Sequence, residues 1–332
     1  DILVCRCEKP LNKELRQKLS LFCNVQYEGI IEEIDVEHSI YEVPLMLQQE
    51  GLDDLICRKL ELKTPSADMS DWQDIIRKLV TPKNQVRIGV VGKYVELQDA
   101  YKSVYEAVIH GGIANDCGVK IERVEAEDIE KKGAIKTLHG YGGILIPGGF
   151  GERGTEGKIL AAQYARENNI PFLGLCLGMQ IATIEFARNV LNLKEAHSVE
   201  FSSETPHPVI ALLDEQQNIT NKGGTMRLGS QPCKLTPESL AAKLYNSNEI
   251  NERHRHRYEF NNSYREEFEK AGLLFSGQSP DGNLVEIIEV PRHSFYLASQ
   301  FHPEFKSKPN KPHPLFEGSI KAALACDRNR NV

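Results

Sequence analysis

From Val86 onward, short apolar runs alternate with longer segments in which apolar residues recur every three or four positions. The short runs predict buried strands and the longer segments predict helices. The expected strands are "VRIGVVG", "VKIERVEA", "YGGILIP" and "IPFLGLC", and the expected helices are "DAYKSVYEAVIHGGIA", "EGKILAAQYARENN" and "GMQIATIEFARNVL". Continuous apolar strands that alternate with helices are typical of a sheet covered on both faces. The pattern therefore predicts an α/β fold with a mostly parallel sheet flanked by helices.

The pattern changes on either side of this region. The first 60 residues contain two strand-like runs, "DILVCR" and "LSLFCNV", and a helical stretch, "YEVPLMLQQEGLDDLICRKL". This is too little chain for a complete α/β domain. Thr64-Pro65-Ser66 indicates a break, after which Ser70 is expected to cap a helix. Residues 200–300 are less regular and hairpin-like, and "HSFYLASQFHPE" is expected to hold a late strand.

Composition narrows the class of protein. The 332 residues carry a net charge of −7, so the overall balance does not point to a nucleic acid or a membrane as partner. No apolar run of 18 residues predicts a membrane span. The eight cysteines form no C-x-x-C pair, which argues against a zinc site or a disulfide framework and favours a reducing, cytoplasmic setting. The sequence begins without methionine in a strand-like run, so we expect a piece of a longer protein.

Cys176 lies within Gly174-Leu175-Cys176-Leu177-Gly178, where an expected strand meets an expected helix. A nucleophile on such a turn needs small neighbours because the backbone segments approach closely. The free N–H groups of a helix that begins there favour a thiolate. The same pentapeptide also suits a buried cysteine at the end of a core strand. Taken alone, it leaves both interpretations equally open.

A thiolate nucleophile needs a histidine that a third group orients. In "ASQFHPEF", His302 and Glu304 are two residues apart, and on an extended segment they would share a face. Pro303 excludes a continuous helix between them. A lone His-x-Glu is commonplace and usually structural. Its place after a strand, together with G-x-C-x-G in a parallel sheet, favours a catalytic pair.

Two further segments have a functional and a plain interpretation. "IPGGFGERG" follows a strand and precedes a helix, so its N–H groups suit an anion such as an oxyanion, although a simple glycine turn is equally compatible. It lacks the Gly-Lys-Ser/Thr ending of a nucleotide P-loop. In residues 253–257, "RHRHR", alternation on a strand would place arginines and histidines on opposite faces, and a solvated charged strand is the alternative. No ligand spacing supports a metal site there.

The motifs "PGGFGERG", "GLCLGMQ" and "QFHPEF" occur in this order, and the set resembles the class I (triad) glutamine amidotransferases. Further stretches resemble the CTP synthase family within that class. They are "GKYVELQDAYKS", "GGTMRLG", "ERHRHRYEFNN" and "ASQFHPEFKSKP", together with "LVCRCEKPL", "LSLFCNV", "DVEHSIYEVPLML" and "GLDDLIC" near the start. The resemblance covers nearly the whole chain. It implies a flavodoxin-like glutaminase domain at residues 86–328, preceded by the end of a partial α/β synthetase (amidoligase) segment at 1–62 and a helix-containing linker at 63–85.

The resemblance also implies roles for individual residues. Cys176 would attack the side-chain amide of glutamine, His302 would move the protons and Glu304 would orient His302. Backbone N–H groups of Gly148, or Gly149, and of Leu177 would form the oxyanion hole. Glutamine would be held by Gln180, Glu200 and Arg257, because a carboxylate suits its α-ammonium and a guanidinium fork suits its α-carboxylate.

For effector and nucleotides, the resemblance implies GTP near the glycine loop, with Phe150 against the purine and Arg153 against a phosphate. Arg6, Lys18 and Asp35 match positions that line the nucleotide sites of the synthetase. ATP and Mg²⁺ would serve the whole enzyme, and no cofactor or metal is expected in the glutaminase domain. The phosphate-binding loop and the magnesium carboxylates of the synthetase domain are absent, so synthetase activity is not expected of this chain alone.

The implied function is the ATP-dependent amination of UTP to CTP with ammonia from glutamine, in a cytoplasmic homotetramer when the protein is intact. This chain would carry the glutaminase half. One alternative is another triad amidotransferase or a γ-glutamyl hydrolase, which would share the thiol chemistry. The other is a truncated, non-catalytic regulatory or assembly module.

Overall fold

A computed structural model describes residues 1–93, 98–212 and 226–330. The expected motifs "GKYVELQDAYKS" and "GGTMRLG" therefore lie partly outside the described residues. The chain divides into two compact units, Asp1–Pro82 and Lys83–Val332. We call them the amino-terminal and the carboxy-terminal unit. The domain boundaries expected from the resemblance stay a prediction.

The amino-terminal unit is a small α/β arrangement in which two strands pair in parallel, Leu3 opposite Ile30. Its elements are β1 (Leu3–Cys7), α1 (Lys13–Cys23), β2 (Ile30–Ile34), α2 (Val43–Gln49), α3 (Leu52–Lys59) and α4 (Ser70–Val80).

Two local predictions in this unit are wrong. The run "LSLFCNV", expected as a strand, forms the end of α1 and the turn after it. Asn12 caps this helix through its side chain, and Asn24 ends it in a left-handed conformation. The side chains of Leu21 and Phe22 are 78% and 84% exposed, so the apolar run has no buried strand position to fill. Ser70 is not the cap of α4 but its first residue.

The carboxy-terminal unit is built on a mixed sheet of nine described strands. The strands of this unit are β3 (Asn84–Gly92), β4 (Cys117–Glu125), β5 (Gly143–Ile146), β6 (Phe172–Leu175), β7 (Ala196–Ser198), β8 (His207–Ala211), β9 (Arg227–Leu235), β10 (Glu249–His256), β11 (Glu259–Phe260), β12 (Leu274–Gln278), β13 (Val285–Glu289) and β14 (Tyr296–Ser299). The helices are α5 (Lys102–Ala114), α6 (Ala126–Lys132), α7 (Ala134–Leu138), α8 (Thr155–Glu167), α9 (Leu177–Asn189), α10 (Leu240–Tyr245), α11 (Arg265–Lys270) and α12 (Pro314–Arg330).

The order of the large sheet is β10-β9-β12-β13-β14-β6-β5-β3-β4. The strands from β14 to β4 are parallel to their neighbours, whereas those from β10 to β14 pair antiparallel. The expected α/β fold is confirmed, and the predicted hairpin-like region supplies the antiparallel half. Strands β7, β8 and β11 form a small separate sheet.

Both faces of the large sheet are covered, as the apolar strands predict. Ile144 and Ile146 of β5 belong to one buried apolar cluster, which α8 and α9 help to form. Leu145 belongs to the other cluster, which includes residues of α5 and α12. Because successive side chains on a strand point to opposite faces, a run without polar residues is what a two-sided core requires. Among the described residues, no helix has both the length and the apolar content needed to cross a membrane.

Candidate active site

Cys176 lies in a sharp turn between β6 and α9, with φ of 50° and ψ of −100°. Such a conformation is unfavourable for a residue with a Cβ, and the surrounding contacts must hold it. The backbone N–H of Cys176 donates to the carbonyl of Ser299 at 2.7 Å, and its carbonyl accepts from Met179 and Gln180 in the first turn of α9. The thiol is therefore held at the helix N-terminus, only 5% exposed.

The glycines on either side of the cysteine are required by close backbone approach. A Cβ at Gly174 would lie 2.7 Å from the carbonyl oxygen of Gly178. A Cβ at Gly178 would lie 2.3 Å from the carbonyl oxygen of Ile146, which ends β5. Both distances are too short for real contacts. The G-x-C-x-G pattern thus follows from the packing of the turn against itself and against the neighbouring strand.

His302 and Glu304 stand next to this turn because β14 pairs in parallel with β6 and ends beside it. The His302 Nδ1 and the Glu304 Oε1 are 2.8 Å apart. The expected extended geometry is wrong: Pro303–Phe305 form a turn of 3₁₀ helix, which brings the carboxylate back under the imidazole. The backbone N–H of His302 donates to the carbonyl of Arg253 at 2.8 Å, which fixes the segment to β10.

The charge state of His302 follows from its neighbours. Burial lowers its pKa, but the interactions with the Cys176 thiol and the Glu304 carboxylate outweigh burial and raise the pKa to about 10. With Nδ1 engaged by Glu304, the buried Nε2 has no hydrogen-bond partner among the described residues. The arrangement favours an imidazolium beside the sulfur at neutral pH, with Nε2 available for proton transfer.

The glycine loop approaches the cysteine and histidine directly. A Cβ on Gly148 would lie 2.9 Å from Cε1 of His302 and 3.5 Å from Cβ of Cys176. Gly149 lies against the side chain of Leu177, the first residue of α9. N–H groups in the first turn of a helix have no partner within the helix. The loop and the helix start therefore present backbone donors around the thiol.

A cleft of about 740 Å³ opens above these groups. The residues predicted to act on glutamine that line it are Gly148, Gly149, Cys176, Gln180, Glu200, Arg257, His302 and Glu304. The carboxamide of Gln180 donates from Nε2 to the carbonyl of Tyr258 at 3.3 Å. Glu200 accepts the N–H of Gly151 at 3.1 Å. A carboxylate and a guanidinium thus face one cavity with the thiol, which suits an amino acid.

Lys93, the residue after β3, contacts the glycine loop and supports it. Its ammonium donates to the carbonyl of Phe150 and lies 5.0 Å from the centre of the Phe150 ring. Tyr101 in turn donates its hydroxyl to the Lys93 carbonyl at 2.9 Å. Together with the bond from Gly151 to Glu200, these contacts fix the loop.

The buried face of β10 carries two imidazoles, as the predicted alternation requires, and one of them, His256, lines the cleft. His254 Nδ1 and His256 Nε2 are 2.8 Å apart. Burial lowers the pKa of His254 to about 3 and that of His256 well below its ordinary value, so both rings are neutral. The carbonyl of Tyr258 accepts from Nδ1 of His256 at 3.3 Å. In the hydrogen bond between the two rings, His254 Nδ1–H is therefore the donor and His256 Nε2 the acceptor.

The acidic residues of this cluster share one cation. Arg227 lies 3.3 Å from Glu259 and 2.9 Å from Glu286. Burial raises the pKa of Glu259 to about 8 and also raises that of Glu286. One ligand atom each from His254, His256 and Glu286 lies within 4.8 Å of the others, a spacing that a metal could use. The Arg227 guanidinium is already paired with both carboxylates, and the two imidazoles are hydrogen-bonded to each other. We therefore interpret the cluster as an internal polar network.

The predicted effector residues are not brought together. Phe150 is 76% exposed and lines the cleft. Arg153 pairs with Glu127 and lines a separate surface pocket with Glu130 and Glu156.

The three predicted nucleotide residues of the amino-terminal unit are exposed. Arg6 pairs with Asp35 at 3.2 Å, and Lys18 pairs with Glu14 at 2.9 Å.

Several lining residues were not assigned a role from the sequence. They are Asp99, Ala100, Tyr101, Lys102, Ser103, Val104, Met226, Arg255, His256, Tyr258 and Phe305. Residues 99–103 belong to the quoted stretch "GKYVELQDAYKS", and 255–258 belong to "ERHRHRYEFNN". The signal was present in both motifs, but their spacing alone does not say which side chains reach the cleft.

A sequence profile described as "Glutamine amidotransferase class-I" matches residues 96–322. The chain belongs to this family, as the cysteine turn, the His-Glu pair and the glycine loop indicate. A second profile, "CTP synthase N-terminus", matches residues 1–62. Within the class, the chain is similar to CTP synthases.

Among curated proteins, the CTP synthase of Rippkaea orientalis is 54% identical over 98% of this chain and 59% of its own length. The CTP synthase of Clostridium kluyveri is 55% identical over 98% of this chain and 60% of its own length. The chain therefore spans about 60% of the length of these relatives. Among solved structures, the glutaminase domain of CTPS from Trypanosoma brucei, with bound acivicin, is 43% identical, with a TM-score of 0.68 over 72% of this chain and 94% of that one.

Proposed function

We propose that this chain hydrolyses glutamine to glutamate and ammonia through Cys176, His302 and Glu304. The observation that carries the proposal is the meeting of three elements in one cleft. A strained cysteine turn, an imidazole held by a carboxylate, and a loop of backbone donors approach each other closely. This is the constellation that thiol acyl transfer needs.

In the first half of the reaction, the thiolate of Cys176 attacks the side-chain carbonyl carbon of glutamine. Backbone N–H groups of Gly148 or Gly149 and of Leu177 stabilise the oxyanion. The proton on His302 passes to the departing nitrogen, and ammonia leaves a glutamyl thioester. Glu304 keeps the imidazole oriented and stabilises its charge. The raised pKa of His302 supports this order, because the base already holds the proton that the leaving group requires.

In the second half, His302 takes a proton from water, and the hydroxyl oxygen attacks the thioester carbon. The carbon–sulfur bond breaks, glutamate forms and the thiolate returns. Throughout, Arg257 holds the α-carboxylate, Glu200 the α-ammonium, and Gln180 lies beside them in the cleft. A salt link to a planar guanidinium fixes the substrate in two directions, so its amide points towards the thiol.

For the whole protein, we propose that the ammonia aminates UTP to CTP with ATP and Mg²⁺, and that GTP activates the glutaminase reaction. The names of the curated relatives support this role.

Arg6, Lys18 and Asp35 would contribute to the nucleotide sites. In the amino-terminal unit, the exposed Asp35 carboxylate is paired with Arg6 at 3.2 Å, so a nucleotide or Mg²⁺ would have to displace this contact. The exposed Phe150 ring at the cleft fits a purine, and Arg153 would have to leave Glu127 to meet a phosphate. A cytoplasmic tetramer is part of the same proposal.

The test is labelling with acivicin, the compound bound in the Trypanosoma brucei structure, alongside ammonia release from glutamine. We expect one modified residue, Cys176, loss of activity in proportion to labelling, and protection by glutamine. Ammonia release with and without GTP then tests the activator. Absence of labelling and of ammonia release would contradict the proposal and favour a non-catalytic module. Hydrolysis of γ-glutamyl peptides in preference to glutamine would favour a γ-glutamyl hydrolase.

A further inference from the structure

Gln300 lies between the end of β14 and the His302–Glu304 pair, and its side chain is completely buried. Its Nε2 donates towards the Sγ of Cys176 at 3.7 Å, within the range of N–H to sulfur contacts. The backbone N–H of Gln300 donates to the carbonyl of Glu286 at 2.8 Å, which fixes its position at the junction of β13 and β14. The backbone therefore holds the Gln300 amide in contact with the nucleophile.

The other end of the same amide is unsatisfied. Oε1 of Gln300 is buried and has no hydrogen-bond partner among the described residues. A buried acceptor without a donor is destabilising, and buried polar atoms without partners are rare. The oxygen shares its carbon with the Nε2 that contacts the sulfur, so this amide has an acceptor left for a small donor released at the thiol.

The titratable groups in this part of the carboxy-terminal unit come from several elements. His302 and Glu304 follow β14, His254 and His256 lie on β10, and Glu286 lies on β13 with its partner Arg227 on β9. His254 and His256 are neutral because burial lowers their pKa values. His302 supplies the positive charge next to the sulfur. Gln300 adds a neutral N–H donor whose contact does not depend on pH.

We propose that Gln300 is a further catalytic residue, which donates to the Cys176 thiolate and accepts an N–H of the ammonia that leaves. The proposal rests on the glutaminase function proposed above. When the carbon–sulfur bond forms, the sulfur loses its negative charge, and the hydrogen bond from Gln300 Nε2 becomes weaker. When the carbon–nitrogen bond breaks, the proton from His302 completes ammonia. Gln300 exchanges no proton, and its Oε1 gives the released ammonia a hydrogen-bond acceptor.

The first test measures alkylation of Cys176 by iodoacetamide as a function of pH, on the full chain, with the Cys176 peptide quantified by mass spectrometry. Gln300→Met keeps the length of the side chain but removes both polar atoms. We expect the midpoint of the rate profile to rise by about one pH unit, because a hydrogen bond to a charged group is lost. Gln300→Glu places a carboxylate there and should raise it further.

Two controls keep this test specific. Cys23 is exposed on α1, so its peptide in the same digest reports the reagent, and its profile should not change. Ser276→Ala removes another buried, unpartnered oxygen, on β12, and tests whether any lost polar atom in this core produces the shift. If Gln300→Met does not fold, Gln300→Asn keeps the amide and withdraws it from the sulfur, with the same expected direction.

The second measurement is glutamine hydrolysis by the same variants. We expect kcat/KM to fall about tenfold in Gln300→Met, consistent with one lost hydrogen bond to charge. Unchanged midpoints together with unchanged kcat/KM would overturn the proposal while leaving the glutaminase function intact. If the wild-type chain is alkylated at Cys176 but does not hydrolyse glutamine, the proposed function fails, and the alkylation profiles still decide whether Gln300 acts on the sulfur.

Discussion

The parallel and antiparallel halves of the large sheet are built differently, although they share β14. In the parallel half, every residue of β5 and β6 is buried and apolar or glycine, and the nucleophile stands where β6 ends. In the antiparallel half, β10 alternates strictly between exposed and buried residues, and the buried ones include Glu252, His254 and His256. One half is a rigid apolar frame, and the other carries polar groups into the interior.

The difference separates two tasks. The parallel half holds the cysteine in a strained turn, which needs dense packing on both faces of the sheet. The antiparallel half places Arg257 directly after β10 and anchors His302 through the Arg253 carbonyl. We therefore expect substitutions in the frame to act on the chemical step, and substitutions in the polar half to act on substrate binding and on pH dependence.

The largest effect is expected for Cys176→Ala. The substitution removes one sulfur atom, and alanine keeps the Cβ that the turn already accommodates. Ammonia release should fall at least about 10³-fold, as for the loss of other nucleophiles, while the melting temperature remains similar. Steady-state kinetics and thermal melts check both parts. Wild-type ammonia release in this variant would show that the frame does not carry the nucleophile.

At the junction of the two halves, His302→Ala should lose more activity than Glu304→Ala. The histidine moves the protons, whereas the glutamate orients it, and an orienting residue contributes less than the base in comparable triads. We expect about 10³-fold loss of kcat for the first and about tenfold less loss for the second. Equal losses, or the reverse order, would contradict this division of roles.

Gly148→Ala should reduce kcat by about 10²-fold, because the new Cβ would lie 2.9 Å from Cε1 of His302 and displace the ring or the loop donors. Gly149→Ala is the matched variant. Its Cβ would meet only the flexible Leu177 side chain, at 3.3 Å, so its loss should be smaller. Parallel measurement of kcat in both variants compares them, and similar losses would indicate a general effect of loop stiffness.

In the antiparallel half, Arg257→Lys should raise the KM for glutamine about tenfold, with a smaller change in kcat. Lysine keeps the charge but loses the two-pronged geometry towards a carboxylate. Arg255→Lys, on the preceding exposed position of β10, serves as the comparison. A loss confined to kcat in Arg257→Lys would place this arginine in the chemical step instead.

The smallest effect is expected for Glu259→Gln, and it concerns stability. Burial raises the pKa of Glu259 to about 8 from its ordinary 4.5, so the fold favours the neutral carboxyl. The stabilisation that the neutral Glu259 carboxyl gives is fully present below the pKa of this residue in the unfolded chain, and it is lost as the pH rises through about 8. Relative to Glu259→Gln, the wild-type free energy of unfolding should fall by at least about 1 kcal/mol between pH 4.5 and 8. Urea unfolding at several pH values measures it.

The two halves also differ in how far the sequence reveals them. Continuous apolar runs identified β5, β6 and the turn at Cys176, because periodicity and glycine spacing are local signals. Alternation correctly assigned the faces of β10. The chain's local pattern could not show that β14 would pair with β6, which brings Gln300 to the sulfur, or that Glu286 and Arg227 would meet behind β10. It also missed α1, where capping asparagines decide the helix and the apolar side chains remain exposed.

The backbone conformation of Cys176 has a consequence for how this protein can change over evolution. A non-glycine residue at φ 50° and ψ −100° costs on the order of 1–3 kcal/mol, which the rest of the fold must offset. Natural proteins keep only a narrow margin of stability. A copy released from selection for catalysis would gain stability by exchanging this cysteine for glycine. Retention of cysteine here is therefore a trade-off, in which reactivity has been kept at the expense of robustness.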